Sequence, residues 1–102
     1  MAQEAEQAVR QETSVDIHVH YLPAVHAFRR TYDDEALVAT VRSDAMTFFG
    51  VQDRTDRNKH EFFLEFEGQR ITNYNQTLEQ LFGRDRREAN FNLVEQITAG
   101  LE

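Results

Sequence analysis

An α+β fold, one long helix laid on a small sheet, is what this chain of 102 residues predicts, and three observations predict it. Near the start, Val15-Asp16-Ile17-His18-Val19-His20-Tyr21 alternates apolar and polar residues, the period-two pattern of a strand with one buried face. In the middle, Leu37, Val38, Val41, Ala45 and Phe48 recur at three- and four-residue spacings and form one apolar stripe on a helix. Toward the end, Phe62, Leu64 and Phe66 lie on one side of a second alternating run, and residues 91–97 supply a further strand.

The elements follow in order. Leu22-Pro23-Ala24 breaks the first strand, and residues 25–32 are expected to return as its hairpin partner. The alternation there is poor because Arg29 and Arg30 are adjacent, which predicts a bulge or an edge position. Asp33 or Asp34 is placed to cap the helix, with Glu35 in its first turn, and Gly50 is a natural stop. The polar run over 52–60 is expected to be a loop. A strand over 61–67 follows, then a turn at Gly68 and a short return at Arg70-Ile71. Thr77 or Asn75 can cap a short helix through Leu78, Leu81 and Phe82, closed by Gly83; a solvated stretch over 84–89 leads to the last strand.

Composition sets limits on function. The length fits one domain, and folding at this size buries roughly two-thirds of the unfolded surface, enough for one core. Eight Phe and three Tyr with no Trp point to a core built on phenylalanine. A net charge of −7 opposes binding to phosphate backbones, so nucleic acid is not an expected partner. With no Cys there is neither a disulfide, a thiol nucleophile nor a thiolate-bound zinc, which fits a cytoplasmic protein. Residues 1–13 have no apolar core of a signal peptide, and no run is long enough to span a bilayer. Val9 is the one large apolar residue there, so 1–13 is expected to be a flexible tail, 14–100 the folded domain, and Leu101-Glu102 a remnant of an expression tag.

The stretch Phe63-Leu64-Glu65-Phe66-Glu67-Gly68-Gln69-Arg70-Ile71, and Asn92-Leu93-Val94 with its short tail to Ala99-Gly100, resemble the ubiquitin-like β-grasp family. The order hairpin, long helix, strand, glycine turn, short helix, closing strand over 14–100 carries the same resemblance. It implies a mixed sheet of four to five strands packed on one long helix, with a short helix added. It also implies that Gly100 is a conjugation end in members that act as protein modifiers or sulfur carriers, prokaryotic-type relatives included. There a glycine is needed because a narrow activating-enzyme channel threads the extended backbone. The usual diglycine is here Ala99-Gly100, and the family's basic tail residues are missing.

One competing motif stands out. Asp16-Ile17-His18-Val19-His20 fits the Asp-x-His-x-His pattern that opens the metal-dependent amidohydrolases, and His at i and i+2 share one side of a strand. That site draws further ligands from a (β/α)₈ barrel of about 250 residues. This chain offers only His26 and His60 besides, so metal binding by the pair is a remote alternative and no metal or other cofactor is expected. Ser14 and Ser43 lack a nucleophile motif, the four glycines make no phosphate loop, and Asp53, Asp56 and Asn58 do not complete a calcium loop. No enzyme activity is expected.

A binding surface follows from alternation. Ile17, Val19, Phe62, Leu64, Phe66, Phe91 and Leu93 are expected to face the helix, leaving His18, His20, Phe63, Glu65, Asn92 and Val94 on the open sheet face. The resemblance makes this the face that ubiquitin offers to partners, with Val94 in a matching place and Glu65 where ubiquitin has an exposed isoleucine. The expectation is a non-enzymatic protein that binds a protein partner through this face. The alternative is a modifier or sulfur carrier activated at Gly100 by an enzyme using ATP.

Overall fold

The first strand, β1 (Ser14–Tyr21), buries Val15, Ile17 and Val19 and turns Asp16, His18 and His20 the other way, as its alternation predicts. The computed structural model describes residues 14–100; the expected N-terminal tail over 1–13 and the expected tag remnant Leu101-Glu102 lie outside them. Strand β2 (Phe28–Asp33) pairs antiparallel with β1 from Ser14↔Asp33 to Val19↔Phe28 in unbroken register. The awkward Arg29-Arg30 pair therefore marks an edge and not a bulge, and the strand starts three residues later than the expected residue 25. Adjacent arginines on an edge discourage pairing with a second copy of the same strand.

Helix α1 (Val38–Phe49) follows, and its start differs from expectation. Leu37 is the N-cap and offers no side-chain bond; neither Asp33 nor Asp34 caps the helix. Asp33 instead closes a local turn by accepting the Glu35 N–H at 2.9 Å. The first helical donors are met by backbone from far along the chain: Val38 N–H bonds Gln76 O and Ala39 N–H bonds Tyr74 O, both at 2.9 Å. The favour is returned at the second helix, α2 (Leu78–Phe82), whose Leu78 and Glu79 N–H groups bond Ala36 O and Asp34 O. Two helix starts thus satisfy each other's orphan groups, which no local sequence signal announces. Thr77 completes α2 with a capping box to Gln80, as the sequence indicates.

The buried stripe of α1 is Val38, Val41, Ala45 and Met46. Leu37 and Phe48, expected in that stripe, are 41% and 54% exposed: Leu37 is the N-cap outside the helix, and Met46 takes the place in the buried stripe expected of Phe48. Gly50 ends the helix in the left-handed region at φ 71°, as expected of a residue without a β-carbon.

The polar run over 52–60 is not simply a loop. It contains β3 (Arg54–Thr55), a turn, and the start of β4 (Lys59–Phe66). Glu67 and Gly68 both take positive φ, 54° and 81°, and reverse the chain into β5 (Gln69–Arg70) through a two-residue turn that suits strand twist. The last strand, β6 (Glu88–Thr98), is longer than the expected 91–97 at both ends. It runs parallel to β1 and antiparallel to β4, giving the order β2-β1-β6-β4-β3 with β5 on β4.

All seven residues expected to face the helix are buried, joined by Val15, Ala89 and Ile71. Phe66 lies between Phe91 and Phe82, with ring centroids 5.2 and 5.6 Å away, and so ties α2 to the sheet. Beyond β3, the outer side of β4 is closed by side chains. Asp53 accepts the Phe62 N–H, Arg42 donates to Phe62 O while pairing with Asp53 at 2.8 Å, and the Tyr74 hydroxyl accepts the Leu64 N–H. Burial raises the cost of the Asp53 charge, but those two donors outweigh it and hold its carboxyl below the ordinary range.

Asp34 is the exception to this accounting. It is buried, and its Oδ2 has no partner among the described residues. Burial first, then the nearby carboxylates of Glu79, Asp33 and Glu35, push its pKa up, with Arg84 acting in the opposite sense. A group with a raised pKa in the fold stabilises it at acid pH and loses that contribution as pH rises through the folded value. Asp34→Asn is therefore expected to raise the thermal midpoint at pH 7, with the gap over wild type closing as pH falls toward 3. In the centre of the core, Phe91→Ala is expected to cost about 3–5 kcal/mol in urea unfolding.

Candidate functional site

The sheet face away from the helices is built by two registers. The parallel pairing of β1 with β6 sets His18 beside Asn90 and His20 beside Asn92. The antiparallel pairing of β6 with β4 sets Asn92 beside Glu65 and Val94 beside Phe63. The hairpin from β4 to β5 then sets Glu65 beside Arg70. His20, Asn92, Glu65 and Arg70 form one row across the sheet, with Phe63 and Val94 in the neighbouring row. All six residues that alternation assigns to the open face are on it, Phe63, Glu65, Asn92 and Val94 as one contiguous group.

Phe63 is not bare. The Arg70 guanidinium lies 4.0 Å from the centre of its ring and also donates to Gln96 Oε1 at 2.7 Å. Arg70 thus spans β4 from β5 to β6 and roofs the ring, an arrangement worth about 0.5–1 kcal/mol at an exposed position. Sequence reasoning placed Arg70 in the return strand and missed this role. The Glu67-Gly68 turn carries the signal, since a two-residue turn pairs residue 65 with residue 70 and brings Arg70 to the face of Phe63.

The histidines have separate partners. His18 Nε2 lies 3.3 Å from Glu88 Oε2, and His20 Nε2 lies 3.4 Å from Asn90 Oδ1. Among the described residues, no group of three or more His, Cys, Asp or Glu is arranged to hold a metal ion. Asp16, the third member of the motif, accepts the Thr31 hydroxyl at 2.6 Å instead. Polar groups of both signs surround an aromatic-aliphatic centre.

Gly100 lies elsewhere, against the turn between β3 and β4. Its N–H donates to Asn58 Oδ1 at 2.9 Å, and a β-carbon there would run into the Arg57 carbonyl. The glycine is half-buried in the cleft formed by residues 55–59 and 98–100. His60, which the sequence places in a loop, is buried behind the same turn.

Against known proteins, no family model matches this chain, and no curated protein matches its sequence. Solved structures do. The ubiquitin of Caldiarchaeum subterraneum superposes with a TM-score of 0.61 at 17% identity, over 81% of this chain and 94% of that one. A protein described as a molecular mimic of SUMO that promotes DNA repair gives 0.59 at 13% identity, over 80% and 91%. The N-terminal ubiquitin-like domain of the 4931431F19Rik protein gives 0.59 at 12% identity, over 88% and 82%. The fold is the ubiquitin-like β-grasp, a curled mixed sheet with two helices among the described residues. None of the described helices is long and apolar enough to cross a membrane.

Because β4 has one buried and one open face, truncating neighbours on it has very different costs. Phe62→Ala is expected to lose about 3–5 kcal/mol in urea unfolding. Phe63→Ala is expected to lose about 1 kcal/mol or less, because the ring packs on one guanidinium and not within the core.

Proposed function

We propose that this chain is a non-enzymatic ubiquitin-like protein that works by binding another protein through its open sheet face, centred on Phe63, Arg70 and Val94. The observation that carries this reading is Phe63 itself, a large ring set on the solvent side of a central strand and covered by a single arginine. A roof of one side chain can move aside, leaving a phenylalanine and an arginine, residue types enriched at protein interfaces. Glu65 and Asn92 flank the centre and His18 and His20 extend it, forming a polar rim. The surface takes a protein with an apolar anchor and an acidic or hydrogen-bonding border, matching Arg70. A cytoplasmic setting fits the absence of cysteine.

The reading as a modifier or sulfur carrier acts through Gly100 and requires that residue to leave the 55–59 turn. One experiment separates the two. Wild type, Phe63→Ala with Arg70→Ala, and a Gly100 deletion are captured from the native host with a tag at the N-terminus, then washed and denatured. Loss of captured protein in the double variant, with folding verified by circular dichroism and no loss in the deletion, is the expected result. Adducts that survive denaturation and vanish with Gly100 would favour the modifier reading and contradict ours.

A further inference from the structure

A second polar construction lies at the opposite end of β4, away from the Phe63 face. His60 is 8% exposed, and its ring is held between two carboxylates: Nδ1 lies 2.8 Å from Glu95 Oε2 on β6, and Nε2 lies 3.2 Å from Asp56 Oδ2 in the turn after β3. Asp56 also organises that turn. It accepts the Asn58 N–H at 2.8 Å, and its own N–H donates to Asn58 O at 2.9 Å. Asn58 in turn accepts the Gly100 N–H through Oδ1. The contacts run without a break from Glu95 through His60, Asp56 and Asn58 to Gly100.

We propose that this chain of contacts is a clasp on residues 98–100 whose strength is set by the protonation of His60. The chemistry is that of imidazole. Charged, it donates from both ring nitrogens and satisfies both carboxylates; neutral, it keeps one N–H, and the other nitrogen presents a lone pair to an anion. The shorter contact is with Glu95, so Asp56 is the partner that loses its donor. The bond from the Asn58 N–H, together with Arg54, favours the charged Asp56 carboxyl independently of His60, so it meets the lone pair as an anion. The turn that presents Asn58 loosens and releases Gly100.

The other charged groups about the clasp are accounted for. Arg54 on β3 lies 3.8 Å from Asp56 and 3.9 Å from Glu95 and stays charged throughout. Lys59 is paired with Glu61 at 3.5 Å, and Arg57 contributes its carbonyl to the wall beside Gly100. Imidazole is the side-chain type among these whose ordinary charge change falls between about pH 5 and 8. The glycine has a structural reason in this setting: a side chain on residue 100 would strike the Arg57 backbone, so only glycine seats in the clasp. While seated, its backbone is withheld from any partner that needs it extended. This goes beyond recognition by the open face and does not depend on it.

The test is the backbone order of Gly100, read from ¹³Cα relaxation so that amide exchange with water does not intrude. In the full chain an order parameter near that of a rigid backbone, about 0.8, is expected at pH 5.5, falling below about 0.6 at pH 8. His60→Gln, which is neutral throughout, is expected to give the same order at both pH values. Asn58→Ala is expected to give low order at both. Low order in wild type at both pH values would remove the clasp, and high order at both would remove its control. A pH dependence that survives His60→Gln would assign control to another group. Should that variant unfold, the wild-type imidazole titration decides: its midpoint must coincide with that of the Gly100 transition, and a mismatch overturns the proposal.

Discussion

The parallel pairing of β1 with β6 is the constraint on which the rest of this structure depends. Asp16 to Tyr21 lies beside Glu88 to Leu93, so the two strands farthest apart in the described chain meet at the centre of the sheet. A parallel pair cannot be joined by a tight turn. Everything between must leave one end and return to the other, and that journey contains β2, both helices and β4. The pair is also well buried on its inner face, with Ile17, Val19 and Phe91 wholly inaccessible. Each such side chain contributes about 1.5–3 kcal/mol relative to exposure. Alternation about this axis puts the core on one face and the candidate binding residues on the other.

A second consequence is the way the connections are satisfied. Because the chain must return beneath α1, its segment over 72–77 passes the start of that helix, and the backbone groups of the two meet. Reciprocal capping of α1 and α2 follows, in place of the side-chain cap expected of Asp33 or Asp34. Asp34 is left buried beside this junction with an oxygen that has no partner among the described residues, a cost of the arrangement. The free side of β4 is finished by Asp53, Arg42 and Tyr74, so the two sides of the sheet are protected differently: by bound side chains on one and by adjacent arginines on the other.

Much of this was legible in the sequence. The alternations at β1, β4 and β6 placed every expected core residue, because a strand with one buried face leaves a period-two trace in composition. The same alternation put all six open-face residues on their side. What the sequence could not show depends on residues distant in the chain. The N-terminus of α1 is set by Tyr74 and Gln76, so local capping rules misplace it and leave Leu37 as an exposed N-cap, while Met46 and not Phe48 completes the buried stripe. The short strand β3 has no apolar pattern at all and exists through its pairing with residues 59–60. Arg70 over Phe63, and Asn58 on Gly100, are contacts across a turn and across 42 residues of sequence; only the first has a register that sequence reasoning could have followed.

The face and the tail divide the molecule's chemistry. The face carries an aromatic centre with a movable cationic cover, and the tail carries a glycine seated by hydrogen bonding and shape. Whether the open face makes the contact is tested by placing a photo-reactive benzoylphenylalanine at position 63 and, separately, at the exposed Thr47 on α1, in the native host. A discrete cross-linked protein from position 63 that is absent from position 47 is expected. No adduct from 63, or the same adduct from both positions, would rule out contact through this face.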